Sequence, residues 1–520
     1  MTAHRTRTKD KRPTVTDGVK PRLLYVASEV LGFAKTGGLA DVAGSLPRAL
    51  ARRGFECAIM LPLYRSARTG SIPVTPTGHS LTIPVGSRSV AGSIWQATLP
   101  GSEVPVYLID QPDYFDRDDP AAGRGLYQFS LPDGRKRDYP DNSERFIFFA
   151  RAVLESLPLL DYWPDVIHAN DWQSGLIPVY LQEEYKTRVG YDQIRTLFTI
   201  HNIGYQGQFW HWDMLLTGLE WRLFNFRQLE FYGQLNLLKA GIVFADVIST
   251  VSPTYAREIQ TPYYSGGLDG VLAERRERLF GIVNGVDYQI WNPATDPHLI
   301  AKYDETTVTE QKPLCKAALQ KRYGLPQEPR TPVLGMIARL VEQKGLDLLG
   351  KAAETILKQG VQLTILGDGD PVYHQMLADL QKRHPNQVGI VFGFSEALAH
   401  QIEAGADVFL MPSQYEPAGL NQLYSLRYGT VPVVRATGGL ADTIVDCTPE
   451  NLAAGKATGF SFTAYIPAAF SHAIDRAVTL YRENPQKWLE IMRTGMRQDW
   501  SWDRVAAEYE KLYSLVVRAG

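Results

Sequence analysis

A chain of 520 residues is too long for a single hydrophobic core and suits two or three domains. Its 44% hydrophobic and 21% charged residues are ordinary for a globular protein, and a net charge of −2 gives no electrostatic case for nucleic acid or an anionic membrane surface. Three widely spaced cysteines, Cys57, Cys315 and Cys447, form no metal or redox pattern and fit a reducing, cytoplasmic compartment; no stretch approaches the ~20 apolar residues of a membrane span.

Residues 1–21 are polar and basic, lack the apolar centre of a secretory signal, and are expected to form a disordered tail. From Arg22 onward, short β-branched-rich runs alternate with longer helical patterns, the signature of parallel βα units. Strands are predicted at Arg22–Ser28, Cys57–Leu63, Val104–Asp110, Asp165–Ala169, Arg195–Ile200 and Asp246–Thr250. A second set follows at Val333–Ala338, Gln362–Leu366, Gly389–Phe392, Asp407–Met411 and Val431–Arg435. The stretch between the sets carries Asn284-Gly285 and the Pro-rich Leu325–Pro332, which mark a hinge over 284–332. The expected architecture is therefore α/β: two doubly wound, Rossmann-like domains, 22–283 and 333–499, facing across a cleft. A terminal helix within 500–520 is expected to pack back on the first domain.

The hexapeptide Thr-Gly-Gly-Leu-Ala-Asp occurs twice, as Thr36–Asp41 and Thr437–Asp442, each time between a strand-like and a helix-like run. Paired glycines before a helix let backbone amides approach an anion where the helix dipole favours negative charge. They also simply make tight turns, and the Lys35 preceding the first copy weights the choice toward a phosphate-bearing ligand held by Gly37 and Gly38.

Further along, Arg339 and Lys344 bracket a loop that follows a strand, and a guanidinium with an ammonium there can neutralise a leaving diphosphate without a metal ion. The alternative is an exposed ion pair of Arg339 with Glu342. Glu416 lies between the strand Asp407–Met411 and a helix beginning near Gly419 and Leu420, where a carboxylate binds sugar hydroxyls or merely satisfies the helix dipole. The blocks His168-Ala169-Asn170-Asp171-Trp172 and His201-Asn202-Ile203-Gly204-Tyr205 each follow a strand. Imidazole, amide and carboxylate there suit sugar hydroxyls, and Trp172 or Tyr205 suits the apolar face of a pyranose. A lone His or Trp is more often core than ligand. No metal-binding His pair, nucleophile elbow or Walker loop is present, so no metal or cofactor is expected.

Taken in order, these blocks resemble the bacterial glycogen synthase and plant starch synthase family, retaining glucosyltransferases of the two-domain B type. The likeness runs from about Leu23 to Leu515 and includes Lys35–Asp41, the His168 and His201 blocks, Asn284–Asp287, Arg339–Gly345, Gly367–Pro371, Glu416–Leu420 and Thr437–Asp442. It implies transfer of glucose from ADP-glucose, with UDP-glucose as the alternative, to the non-reducing end of glycogen or another α-1,4-glucan. The glucan then belongs on the first domain and the nucleotide sugar on the second, which requires the cleft to close. The resemblance further implies catalytic roles for Arg339, Lys344, Glu416 and His201. It implies donor contacts from Lys35, Gly37, Gly38, Asp41, Asn284, Gly419 and Leu420, and acceptor or sugar contacts from Asp171, Asn202, Trp172 and Tyr205. Ala418, Gln414, Phe394, Asn170 and Gln173 depart from the residues usual at their places. A phosphorylase, a sucrose synthase, a sugar-nucleotide epimerase and a glucan-binding protein without turnover are the competing readings.

Overall fold

The computed structural model describes residues 20–132 and 135–518, so all but Lys20 and Pro21 of the expected basic tail lies outside the described residues. The chain divides into two compact units. The first takes in the described residues of Met1–Phe198, Gln206–Val247 and Tyr509–Gly520; the second comprises Thr199–Tyr205 and Ile248–Glu508.

In the first unit, strands β1 (Leu23–Val26), β2 (Cys57–Pro62), β3 (Thr75–Val85), β4 (Arg88–Thr98), β5 (Pro105–Asp110) and β6 (Val166–Asn170) lie in the order β6-β1-β2-β5-β4-β3. The pairs among β6, β1, β2 and β5 are parallel, with Leu23 opposite both Cys57 and Val166, while β4 and β3 add an antiparallel edge. β1, β2 and β6 are buried along their whole length, as a central parallel sheet covered on both faces requires. The last residues of the chain belong here too: the Glu510 carboxylate pairs with Lys20 at 2.8 Å and Arg53 at 2.6 Å, and the Tyr513 hydroxyl lies 2.8 Å from His168 Nδ1.

The second unit holds an all-parallel sheet of β7 (Val333–Leu340), β8 (Gln362–Gly369), β9 (Val388–Phe392), β10 (Val408–Met411), β11 (Val431–Arg435) and β12 (Phe460–Phe462), ordered β9-β8-β7-β10-β11-β12. That order, running outward in both directions from the first strand, is the doubly wound Rossmann arrangement, with its switch point between β7 and β10.

Two boundaries differ from the sequence expectation. Residues 284–332 were expected as a hinge, yet the helix Val308–Arg322 is built into the second unit. Its buried Lys312 ammonium donates to the Ala404 carbonyl at 2.8 Å and the Thr430 hydroxyl at 2.7 Å, and Lys316 pairs with Asp407 at 2.7 Å. A free linker leaves such groups in water. The segment 248–283, expected in the first domain, also belongs to the second unit. Asp442 fixes it there, accepting from the Thr254 amide at 2.9 Å and the Thr254 hydroxyl at 2.6 Å.

Candidate active site

At the switch point of the second sheet, the loops leaving β7 and β10 diverge, which is where open α/β sheets bind ligands. Arg339 is the penultimate residue of β7, and its Nη1 donates to the Tyr205 hydroxyl at 3.1 Å. Gly345 closes the turn that follows, at φ +76°, where an added Cβ would stand 2.2 Å from the Pro412 carbonyl oxygen. Only glycine lets this loop lie so close to the one leaving β10. The Gln414 amide donates to the Gln343 carbonyl at 2.8 Å, and the Gln343 amide group to the Tyr415 carbonyl at 3.3 Å, so the two loops are joined.

Held in this way, the Lys344 ammonium donates to Glu416 Oε2 at 2.6 Å, and the Ser413 hydroxyl donates to the same oxygen at 2.9 Å. The Glu416 carboxylate is nearly buried, so its negative charge is stabilised by these two donors rather than by water. A cavity of about 90 Å³ opens beside them, lined by Ala338, Lys344, Ser413, Glu416, Gly419 and Asn421. Ligand clefts usually measure about 300–1,000 Å³, so this one takes only part of a ligand, such as a phosphate or one edge of a sugar. Leu420 lines the same cavity, and Gly419 adopts φ +64° to begin the turn into the helix Asn421–Tyr428. The group can steady a departing anion with two cations while a carboxylate accepts from hydroxyls.

The repeated hexapeptide has a role that the sequence alone did not reveal. In the second copy the Gly438 amide donates to both oxygens of Glu258, at 3.1 and 3.0 Å, and the Thr437 hydroxyl donates to Glu258 at 2.9 Å. The Gly439 amide donates to the carbonyls of Glu416 and Pro417, both at 3.1 Å. This turn therefore supports the Glu416 loop. In the first copy Glu29 fills the same place, accepting from the Thr36 amide at 2.5 Å, the Thr36 hydroxyl at 2.6 Å and the Gly37 amide at 3.1 Å. The anion that these amides hold is an internal carboxylate, which corrects the expectation that the Gly37 amide is open to a ligand phosphate. A buried acid a few residues past a strand, as Glu29 is, was the available signal. Lys35 and Asp41 form an exposed pair at 2.7 Å on the same turn as Gly38.

His201 follows the strand Arg195–Ile200. Burial of its ring, in a residue that keeps some open surface, pushes the imidazole down to about 3, so at neutral pH it carries no charge and exchanges hydrogen bonds only. Between pH 6.5, the unfolded value, and about 3, the unfolded chain takes up a proton here that the folded chain does not, so stability is full above 6.5 and falls as pH is lowered. His201→Gln should flatten this decline in urea midpoints measured at pH 7, 5.5 and 4.5; slopes identical to the parent's would contradict it.

The other expected residues divide sharply. Asn202 Oδ1 accepts from the Gly204 amide at 2.9 Å within its own turn, and Tyr205 joins Arg339 as described. Asn284 is buried with its Oδ1 unpaired, an orphan acceptor that a ligand donor would satisfy; beside it Gly285 packs against Trp502, where a Cβ would stand 2.7 Å from the indole. Asp171 sits at φ +54° and ψ 179°, a conformation nearly reserved for glycine. Trp172 is a correction. It is buried among Phe146, Tyr127 and Phe209, with ring centroids 4.9, 6.3 and 5.6 Å away, so it is core and offers no face to a sugar. His168 and Asn170 are likewise fully buried, Asn170 accepting from the Tyr25 hydroxyl at 3.0 Å.

Of a flat surface past β8 the sequence marked only Phe394, and missed His374 and Phe392. The His374 ring stacks on Phe392 at 4.4 Å and 15°, and its Nε2 lies 2.9 Å from Asp368. Phe392 and Phe394 are both exposed, and two large aromatic residues so close in sequence at a strand's end were the signal.

A family model described as the starch synthase catalytic domain matches residues 22–274, and one described as glycosyl transferases group 1 matches residues 320–493. The chain is 45% identical over 506 residues to a glycogen synthase of Rhodopirellula baltica, covering 95% of this chain and 98% of that one. It is 47% identical over 495 residues to a glycogen synthase of Syntrophotalea carbinolica, covering 95% and 99%. Among solved structures, the catalytic domain of starch synthase IV from Arabidopsis thaliana, bound to ADP and acarbose, matches with a TM-score of 0.86 and 31% identity, over 96% of this chain and 100% of that one.

Proposed function

Because the chain belongs to the glycogen synthase and starch synthase family, two Rossmann-like domains of the GT-B type, we propose that it transfers glucose from ADP-glucose to the non-reducing end of an α-1,4-glucan, retaining the anomeric configuration. The observation that supports this most directly is Lys344 hydrogen-bonded to Glu416 beside Arg339 at the switch point of the second sheet. In this reading Arg339 and Lys344 meet the negative charge that grows on the β-phosphate as the bond from C1 to the phosphate oxygen breaks. The bond pair leaves with that oxygen. The acceptor's O4 then bonds to C1 on the same face, and its proton passes to the departing phosphate. Glu416 accepts from the donor glucose's hydroxyls and keeps its ring in place, and neutral His201 adds a hydrogen bond. Lys35, Asp41, Asn284 and the Gly419–Leu420 turn contact the donor, while Asp171 and Asn202 serve the sugars. The stacked His374 and Phe392, with exposed Phe394, offer a flat face to the nucleotide base. Three free, buried cysteines support a cytoplasmic location.

The test is nucleoside diphosphate release from ADP-glucose and UDP-glucose side by side, with and without a maltooligosaccharide. ADP release that depends on the acceptor, and at least about tenfold slower release of UDP, is the expected result, since one lost base contact is worth about a factor of ten. Faster release of UDP would overturn the donor assignment. Release of neither would overturn the reading altogether.

A further inference from the structure

We propose that Glu29 is a positioning residue for the transfer: its carboxylate fixes the main chain that carries Lys35, and so sets where the Lys35 ammonium meets the donor. The proposal rests on the donor contact given to Lys35 under "Proposed function". Glu29 is only 4% exposed, and its charge is answered by four hydrogen-bond donors. Oε2 accepts from the amides of Thr36 and Gly37, at 2.5 and 3.1 Å, and Oε1 from the hydroxyls of Thr36 and Tyr127, at 2.6 and 2.9 Å. A buried carboxylate is tolerated when its oxygens are filled in this way. Three of the four donors belong to the two residues that follow Lys35.

The other side of Lys35 is anchored too. Val30 and Ala34 exchange backbone hydrogen bonds at 3.0 and 2.9 Å, closing the turn that leads into it. Between the two anchors the Lys35 side chain is 46% exposed and meets Asp41 at 2.7 Å. An exposed pair of this kind holds weakly, so a diphosphate can take the ammonium over. The backbone is fixed while the charged arm stays mobile, which suits a cation presented to a ligand. Glu29 does not act as an ordinary helix cap. Such a cap bonds amides inside the first turn, whereas Glu29 bonds Gly37 and Thr36, which precede the helix Gly38–Arg52. Its own support is built in. The buried Arg145 donates to the Leu126 carbonyl and the Asn142 amide group to the Tyr127 carbonyl, both at 3.0 Å, so the Tyr127 hydroxyl is aimed from a fixed segment. Burial, with the Glu29 charge beside it, pushes that hydroxyl well above its ordinary value and keeps it a donor.

The experiment uses the full chain with Glu29→Ala, Glu29→Gln and Lys35→Ala, and with the last two combined. Glutamine keeps the shape and an acceptor for the two amides, and the hydroxyls of Thr36 and Tyr127 can turn to accept from its NH2, so the fold is preserved with weaker bonds. Limited trypsin digestion, read by mass as the fragment beginning at Thr36, reports how often the loop opens. Turnover gives kcat and KM for ADP-glucose and for maltotriose. Cleavage after Lys35 should speed at least about tenfold in Glu29→Ala and about fivefold in Glu29→Gln. kcat/KM for ADP-glucose should fall by similar factors, while KM for maltotriose stays within about twofold, a donor-selective loss that general destabilisation would not give. In the Lys35→Ala background, Glu29→Gln should cost less than about 1.5-fold, because it acts through the lysine already removed. Unchanged cleavage in both Glu29 variants would overturn the proposal, as would an equal cost of Glu29→Gln with and without Lys35. A parent chain without ADP-glucose turnover would overturn the reaction and this role with it. The trypsin rates would still tell whether Glu29 holds the loop, so the two failures are told apart.

Discussion

Arg339→Ala should lower turnover at saturating ADP-glucose by about 10²–10³-fold, and Lys344→Ala by a similar factor, because each removes a fixed charge aimed at the leaving group. The two losses differ in kind. Desolvation works against the Arg339 guanidinium, but the Tyr205 hydroxyl and the Glu416 carboxylate outweigh it and keep the group firmly charged. Removing it leaves the fold's polar pairs otherwise intact, so thermal stability should barely change. Arg339→Lys keeps the charge but loses the planar fork that grips two oxygens, and should recover only part of the rate. Lys344→Ala instead leaves the nearly buried Glu416 carboxylate with Ser413 as its remaining donor, so stability falls along with turnover. The measurement is kcat at saturating donor beside a melting curve for each variant. Near-parental kcat in both alanine variants would sink the proposed mechanism.

The legible part of this protein was what repeats along the chain. Each of the eleven predicted parallel strands has a counterpart in the structure, because buried parallel strands read as short apolar runs such as Cys57–Pro62 and Val431–Arg435. The hairpin of β3 and β4 was not read. Only one face of it is buried, and in β3 the apolar set Leu81, Ile83 and Val85 alternates with exposed Thr82 and Pro84, a period of two where runs were sought. Within the candidate site, the closeness of Arg339, Lys344 and Glu416 was legible because all three stand at or just past the C-terminal ends of strands, where open α/β sheets gather their ligand-facing groups. Trp172 was misplaced for the converse reason: an aromatic after a strand looks the same in sequence whether it faces a ligand or the core. What the sequence could not supply was long-range pairing. Nothing local tells that Glu258, in the helix Pro253–Glu258, answers the amide of Gly438.

The repeated hexapeptide turns that lesson into an expected result. Gly37→Ala and Gly438→Ala are the same substitution in the same local sequence, yet they should behave oppositely. A Cβ on Gly37 meets nothing within 4 Å, and its backbone, at φ −153°, is open to any residue, so stability should hold within about 0.5 kcal/mol. Gly438 sits at φ +45° with a Cβ position 2.0 Å from the Glu416 carbonyl oxygen, so alanine there adds backbone strain to a collision with main chain that cannot swing away. Stability should fall by about 3 kcal/mol or more, the sum of a strained left-handed residue and an overpacked contact. The relief route is for the two loops to part, which breaks the bonds from the Gly439 amide to Glu416 and Pro417 and draws Glu416 away from Lys344 and Ser413. A displacement of about 1 Å at a positioning group costs on the order of 10² in rate, so kcat should fall with the melting temperature in Gly438→Ala alone. If Gly438→Ala melts and turns over as Gly37→Ala does, the second turn does not brace the Glu416 loop, and the duplicated sequence has no structural division of labour.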